Sequence, residues 1–213
     1  MKVCLIGGAR SGKSSLAQQL VTDFVTEVQK TALEEPPVLV VTFGKTGCDE
    51  EFDARIAHHR KNRPESWEVL ELGDEPIEQW GRLIAERAQD RFRMVLVDCV
   101  ATMLSCIIDD VLLAHYGASW TQRETFENNL AGIIALETKK SIAALAQVAP
   151  HAVFVTNEVG LSVVASSAAG RLFVDSLGWV NQDLCDLCEK TYLVVAGSAL
   201  ELGKPSMRME WNQ

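Results

Sequence analysis

Short apolar runs of strand length recur along the chain at residues 3–6, 38–43, 67–72, 94–97, 152–156 and 191–196. Between them lie stretches whose apolar positions repeat every three or four residues. Met103, Leu104, Ile107, Ile108, Val111 and Leu112 form one such helical stripe. Phe126, Leu130, Ile133, Ile134, Ile142 and Leu145 form a second. Further helices are predicted from the opening of residue 15 to about residue 30, through Phe52, Ile56 and His59, over 76–87 behind Asp74 and Glu75, and over 173–189. Near-continuous apolar strands alternating with helices predict an α/β fold, a mainly parallel sheet covered on both faces.

The chain has 213 residues, 47% of them hydrophobic, enough for one sizeable core and a single domain over 1–213. No run approaches the roughly 18 consecutive apolar residues of a membrane span. Met1 and Lys2 lead directly into the first strand, so no cleavable signal is expected and the protein is expected to be cytoplasmic. The formal charge is −9, and no basic run is long enough to track a nucleic-acid backbone. Six cysteines in such a compartment are expected to be thiols; Cys185 and Cys188 form a CxxC inside a helical pattern and are read as packing residues.

The first apolar run empties into Gly7, Gly8, Ala9, Arg10, Ser11, Gly12, Lys13, Ser14, which is GxxxxGKS, the phosphate-binding P-loop. Polyphosphate needs many backbone N–H groups aimed at one spot, and glycines let the backbone approach the oxygens. The helix that follows adds its free N–H groups and positive dipole end. Lys13 is expected to reach the outer phosphates and the Ser14 hydroxyl to hold Mg²⁺. Asp98 closes the apolar run 94–97, and in P-loop proteins such a strand, read here as lying beside the first, delivers its carboxylate to the metal site. The run 152–156 likewise ends in polar residues, Asn157 and Glu158, at the edge where such sheets bind ligands. His58 and His59 are adjacent on a predicted helix, about 100° apart, so they cannot face one target together and a paired metal site is disfavoured. Taken alone, that basic stretch reads as a solvated helix face.

Several longer segments go further. GGARSGKS at 7–14, DEEFDARIAHHRKNRPESW at 49–67, VDC at 97–99, VTNEVG at 155–160, and VNQ at 180–182 before YLVVAG at 192–197 together resemble one family nearly end to end. It is the bifunctional adenosylcobinamide kinase/adenosylcobinamide-phosphate guanylyltransferase family of cobalamin biosynthesis. RIxHH followed by RPxxW carries the resemblance, because the P-loop itself is shared with many unrelated enzymes.

The resemblance implies a RecA-like P-loop NTPase fold, a homotrimer and two reactions. ATP or GTP phosphorylates the aminopropanol hydroxyl of adenosylcobinamide, and GTP then donates GMP to that phosphate, releasing pyrophosphate. The second His of the pair carries GMP covalently in that family, which is His59 here. A neutral imidazole suits this step, attacking phosphorus near pH 7 and leaving again from a P–N bond. By the same resemblance Lys13 assists catalysis, Ser14 and Asp98 hold Mg²⁺, and Thr42, Asn62, Arg63, Pro64, Glu65 and Glu71 join the P-loop in contacting nucleotide.

The chain departs from the family pattern where NEVGxGIVP is expected, with Leu161, Ser162, Val163, Val164 and Ala165 after Gly160. Val174 and Trp179 stand where arginine is expected, and Ala101 where threonine is. Two other functions are compatible with a P-loop: a small-molecule kinase without guanylyl transfer, and a GTP-binding switch acting on a partner protein. Neither requires an imidazole nucleophile.

Overall fold

The computed structural model describes residues 1–31, 36–45, 63–88 and 91–203. The predicted helix through Phe52 and His59 lies outside the described residues. Among the described residues seven strands form one sheet: β1 (Lys2–Gly7), β2 (Val38–Thr42), β3 (Glu68–Glu71), β4 (Met94–Asp98), β5 (His151–Asn157), β6 (Lys190–Val195) and β7 (Ser198–Leu202). Their order across the sheet is β3-β2-β4-β5-β1-β6-β7. Every neighbouring pair is parallel except β6 with β7. The helices are α1 (Lys13–Gln29), α2 (Ile77–Ala88), α3 (Val100–Tyr116), α4 (Leu130–Leu145) and α5 (Ala168–Leu187), with a 3₁₀ segment at Gly117–Gln122.

The continuous apolar runs resolve into two alternating sets, because successive side chains on a strand point to opposite faces. Val3, Leu5, Val38, Val40, Met94, Leu96, Val153 and Val155 pack with Ala17, Val21 and Val25 of α1. Cys4, Leu39, Val41, Val95, Val97 and Phe154 face the other way, into a larger core with residues of α2, α3, α4 and α5. Helices therefore cover both faces, as the pattern predicts.

Three differences from the expectation have physical causes. β4 is not beside β1; β5 lies between them, paired to both. Strand order is a long-range property that the local pattern of either strand does not encode. The last strand, β7, is exposed at every residue, so it has no buried alternation to read. Phe126 precedes α4 and packs its ring against Tyr116, with centroids 5.8 Å apart, from the loop.

The stretch Val100–Gln122 is long and apolar enough to cross a membrane by length and composition. Here it contributes Met103, Leu104, Ile107 and Leu112 to the core at 1% exposure or less, which is the placement of a central helix of a sheet protein.

Candidate active site: a P-loop and a carboxylate across an intervening strand

β1 is buried to its end and delivers Gly7 to the carboxyl edge of the sheet. A Cβ on Gly7 would stand 2.2 Å from the Val194 carbonyl oxygen of β6, so only glycine lets these backbones pass. Gly12 is the N-cap of α1 with φ 97°, a left-handed conformation that favours glycine. It has no side chain to cap the helix, so the first N–H groups of α1 have no acceptor of their own and are available to an anion. Gly8 is exposed, with open space where its Cβ would be. Ala9 and Arg10 are also exposed, at the crest of the loop.

The back of the loop is held from the far end of the chain. β6 and β7 are joined by the two-residue turn Ala196-Gly197, with φ 51° and 77°. Gly197 N–H donates to the Ser11 carbonyl at 2.8 Å, and a Cβ on Gly12 would meet Gly197 Cα at 3.2 Å.

Lys13 is buried, 6% exposed, and its Nζ donates to the Gly8 carbonyl at 2.7 Å and to Ser11 Oγ at 3.4 Å. Burial pushes its ammonium below the ordinary lysine value, opposed by Cys99 and Asp98 beside it. The ammonium is folded onto the loop's own carbonyl, at the mouth where phosphate oxygens would replace it.

Ser14 Oγ donates to Asp98 Oδ1 at 3.2 Å. The first turn of α1 thus meets the end of β4 across the end of β5. These two oxygens fit Mg²⁺: it takes hard oxygen donors at about 2.0–2.1 Å in octahedral geometry, which sets neighbouring ligands about 3 Å apart. Such sites use one or two protein oxygens with the substrate phosphates and water completing the shell. No group of three or more His, Cys, Asp or Glu stands together as a metal cage among the described residues. Cys99 Sγ lies 3.0 Å from Thr102 Oγ1, and burial, together with the Asp98 carboxylate, pushes its thiol up.

The structure brings Thr42 and Glu71 together at the ends of β2 and β3, where they are paired in register. Leu72 N–H donates to the Thr42 carbonyl at 2.8 Å, and Gly73 packs so closely on Gly44 that a Cβ would sit 2.3 Å from its carbonyl oxygen. Arg63, Pro64 and Glu65 form the turn entering β3, with Trp67 N–H donating to the Pro64 carbonyl at 3.1 Å. They stand at the opposite end of that four-residue strand from Glu71. His58, His59 and Asn62 lie outside the described residues.

The edge also carries a polar assembly that the motif does not name. Thr156 Oγ1 donates to Asn181 Oδ1 at 2.8 Å, and Asn181 Nδ2 donates to the Asn157 carbonyl at 2.9 Å. Both side chains are buried, and the signal for them in the sequence is polar residues inside two apolar patterns. Of the departures, Leu161, Val163 and Val164 are 87%, 91% and 81% exposed, and Trp179 lies over Gly132 of α4. Cys4, Cys99, Cys106, Cys185 and Cys188 are free thiols, and Cys188 is buried, in keeping with a packing role.

Comparison with known proteins bears on the same residues. Residues 3–202 match the model of a family described as cobinamide kinase / cobinamide phosphate guanyltransferase. The bifunctional adenosylcobalamin biosynthesis protein CobU of Escherichia coli is 32% identical over 204 residues, covering 95% of this chain and 99% of that one. CobU of Salmonella typhimurium is 31% identical over 206 residues, with 95% and 99% covered. The corresponding protein CobP of Pseudomonas aeruginosa is 30% identical over 208 residues, with 96% and 99% covered. A KaiC-like protein of Pyrococcus horikoshii has a similar structure at TM-score 0.42 and 11% identity, covering 90% of this chain and 69% of that one. A match over almost every described element, with relatives matched nearly end to end, leads to one conclusion: the chain belongs to the cobinamide kinase / cobinamide phosphate guanyltransferase family.

Proposed function

We propose that this chain phosphorylates adenosylcobinamide with ATP or GTP and then transfers GMP from GTP to the product, giving adenosylcobinamide-GDP. The observation that carries the reading is the buried Lys13 beside a Ser14–Asp98 pair, in a chain matched to this family over residues 3–202. Both reactions use a nucleoside triphosphate, so one cradle serves both.

In the first reaction the acceptor oxygen bonds to the γ-phosphorus and the nucleoside diphosphate leaves. In the second, an uncharged ring nitrogen of His59 bonds to the α-phosphorus of GTP and pyrophosphate leaves. The acceptor phosphate then attacks that phosphorus and frees the imidazole. In each, charge grows on oxygens at the mouth of the loop. Lys13 and the N–H groups of the loop and of α1 are already fixed there, so their reorganisation adds little to the barrier. Ser14 and Asp98 would hold Mg²⁺, which supplies charge neutralisation on the phosphate oxygens when bound. Thr42 and Glu71, paired in register at the carboxyl edge, contact the nucleotide in this reading. The protein works in the cytoplasm as a single P-loop domain assembled into a homotrimer.

Incubation with α-labelled GTP and Mg²⁺ tests the reading. The protein becomes labelled through an acid-labile, alkali-stable bond, and adding phosphorylated cobinamide discharges the label into product. Phosphorylation of cobinamide without any labelled protein would leave a kinase alone; GTP hydrolysis without corrinoid dependence would leave a switch.

A further inference from the structure

The P-loop, Lys13 and the Ser14–Asp98 pair account for the phosphates of the donor, but nothing among them takes the proton of the attacking hydroxyl. We infer that Glu158 is the general base of the phosphorylation step, an inference that rests on the kinase reading above.

The placement follows from the sheet. β5 runs between β4 and β1, with Asp98 opposite Val155 and Gly7 opposite Asn157. Glu158 is the first residue beyond β5, so it emerges between the Asp98 end of β4 and the start of the P-loop. Its backbone N–H donates to the Gly7 carbonyl at 3.0 Å, which extends the β5–β1 pairing one step into the loop. Other carboxylates at this edge are less suited. Asp98 is engaged with Ser14. Glu71 ends β3, three strands from β5 and therefore about 14 Å away at the usual strand spacing.

The side chain is held without being consumed. Glu158 Oε1 accepts the Gly160 N–H at 2.6 Å, which sets the carboxylate's direction, while the residue is only partly buried. The strand end beneath it is fixed by the buried contact from Thr156 to Asn181 and the part-buried one from Asn181 to Asn157. A base must be positioned before its basicity counts, and this assembly positions it.

In the step, the acceptor oxygen forms its bond to the γ-phosphorus as its proton passes to Glu158 Oε2. The bond from phosphorus to the β,γ-bridging oxygen breaks, and the nucleoside diphosphate departs with that electron pair. The imidazole attack on GTP needs no such base, because a neutral ring nitrogen has no proton to lose at the attacking atom.

Glu158→Gln separates this role from a structural one, since the amide oxygen still accepts the Gly160 N–H but cannot take a proton. Cobinamide phosphorylation is measured in wild type and variant, alongside GMP transfer to cobinamide phosphate supplied ready-made. The expected result is a fall in phosphorylation kcat of about 100-fold, with KM for the triphosphate within about threefold. Turnover of ready-made cobinamide phosphate falls far less. Retention of phosphorylation kcat within about threefold would overturn the inference, and so would an equal loss in both assays with a lowered melting midpoint. Wild type that fails to phosphorylate cobinamide would remove the kinase reading itself.

Discussion

Ser14 and Asp98, eighty-four positions apart in sequence, share a hydrogen bond of 3.2 Å although a whole strand separates the elements that carry them. The bond ties the first turn of α1 to the end of β4 and holds the two oxygens at a spacing suited to one divalent cation. Replacing Asp98 with Asn keeps the hydrogen-bond acceptor and removes the charge. Both half-reactions should fall about 100-fold, and the Mg²⁺ concentration for half-maximal rate should rise. Titration of each half-reaction with Mg²⁺ in D98N measures this; an unchanged requirement would place the cation elsewhere.

Lys13→Met should abolish both half-reactions, since both depend on the same cradle. The same change should raise the melting midpoint of the nucleotide-free protein. Burial holds the Lys13 ammonium below its ordinary value of 10.5, so between the lowered value and 10.5 the unfolded chain binds more protons than the native one. Wild-type stability therefore rises with pH through that window relative to K13M, in which the group is gone. Paired thermal melts of the two proteins across alkaline pH would show the gap narrowing.

His59→Ala should eliminate covalent labelling by GTP while cobinamide phosphorylation continues. Persistence of the label in H59A would move the nucleophile to another side chain.

Gly7→Ala tests the close approach of β1 and β6. The added methyl would meet a backbone carbonyl at 2.2 Å, which no rotamer can relieve. A loss of roughly 1–3 kcal/mol is expected, measurable by denaturant unfolding. Gly8→Ala faces open space and should leave stability nearly unchanged.

Burial pushes Cys4 far above the ordinary thiol value of 9.0 and Cys188 up to about 12. At pH 8 both should resist alkylation in the native protein and react once it is unfolded, because the thiolate is the nucleophile. Mass mapping of iodoacetamide adducts before and after denaturation reads this directly.

The parts of the fold that were legible in the sequence are those where a local pattern has a local cause. The P-loop could be read because Gly7, Gly12, Lys13 and Ser14 act within one turn of chain. The buried strands could be read because both of their faces are covered, which leaves Val38, Leu39, Val40 and Val41 no polar position. What escaped depends on distant partners. The insertion of β5 between β1 and β4 leaves no mark on any of the three. The Ala196-Gly197 turn is a short hairpin by composition, and its bond to Ser11 appears only once the chain has closed on itself. Asn181 looks like an ordinary polar residue in a helix until Thr156 and Asn157 are placed beside it.

The contact between Ser11 and Gly197 also sets an order of assembly. The phosphate cradle is synthesised well before its rear support, which comes from a hairpin made some 180 residues later. At ordinary elongation rates that interval is on the order of ten to forty seconds. A nascent chain halted before residue 197 should carry the whole GxxxxGKS motif and still fail to retain nucleotide.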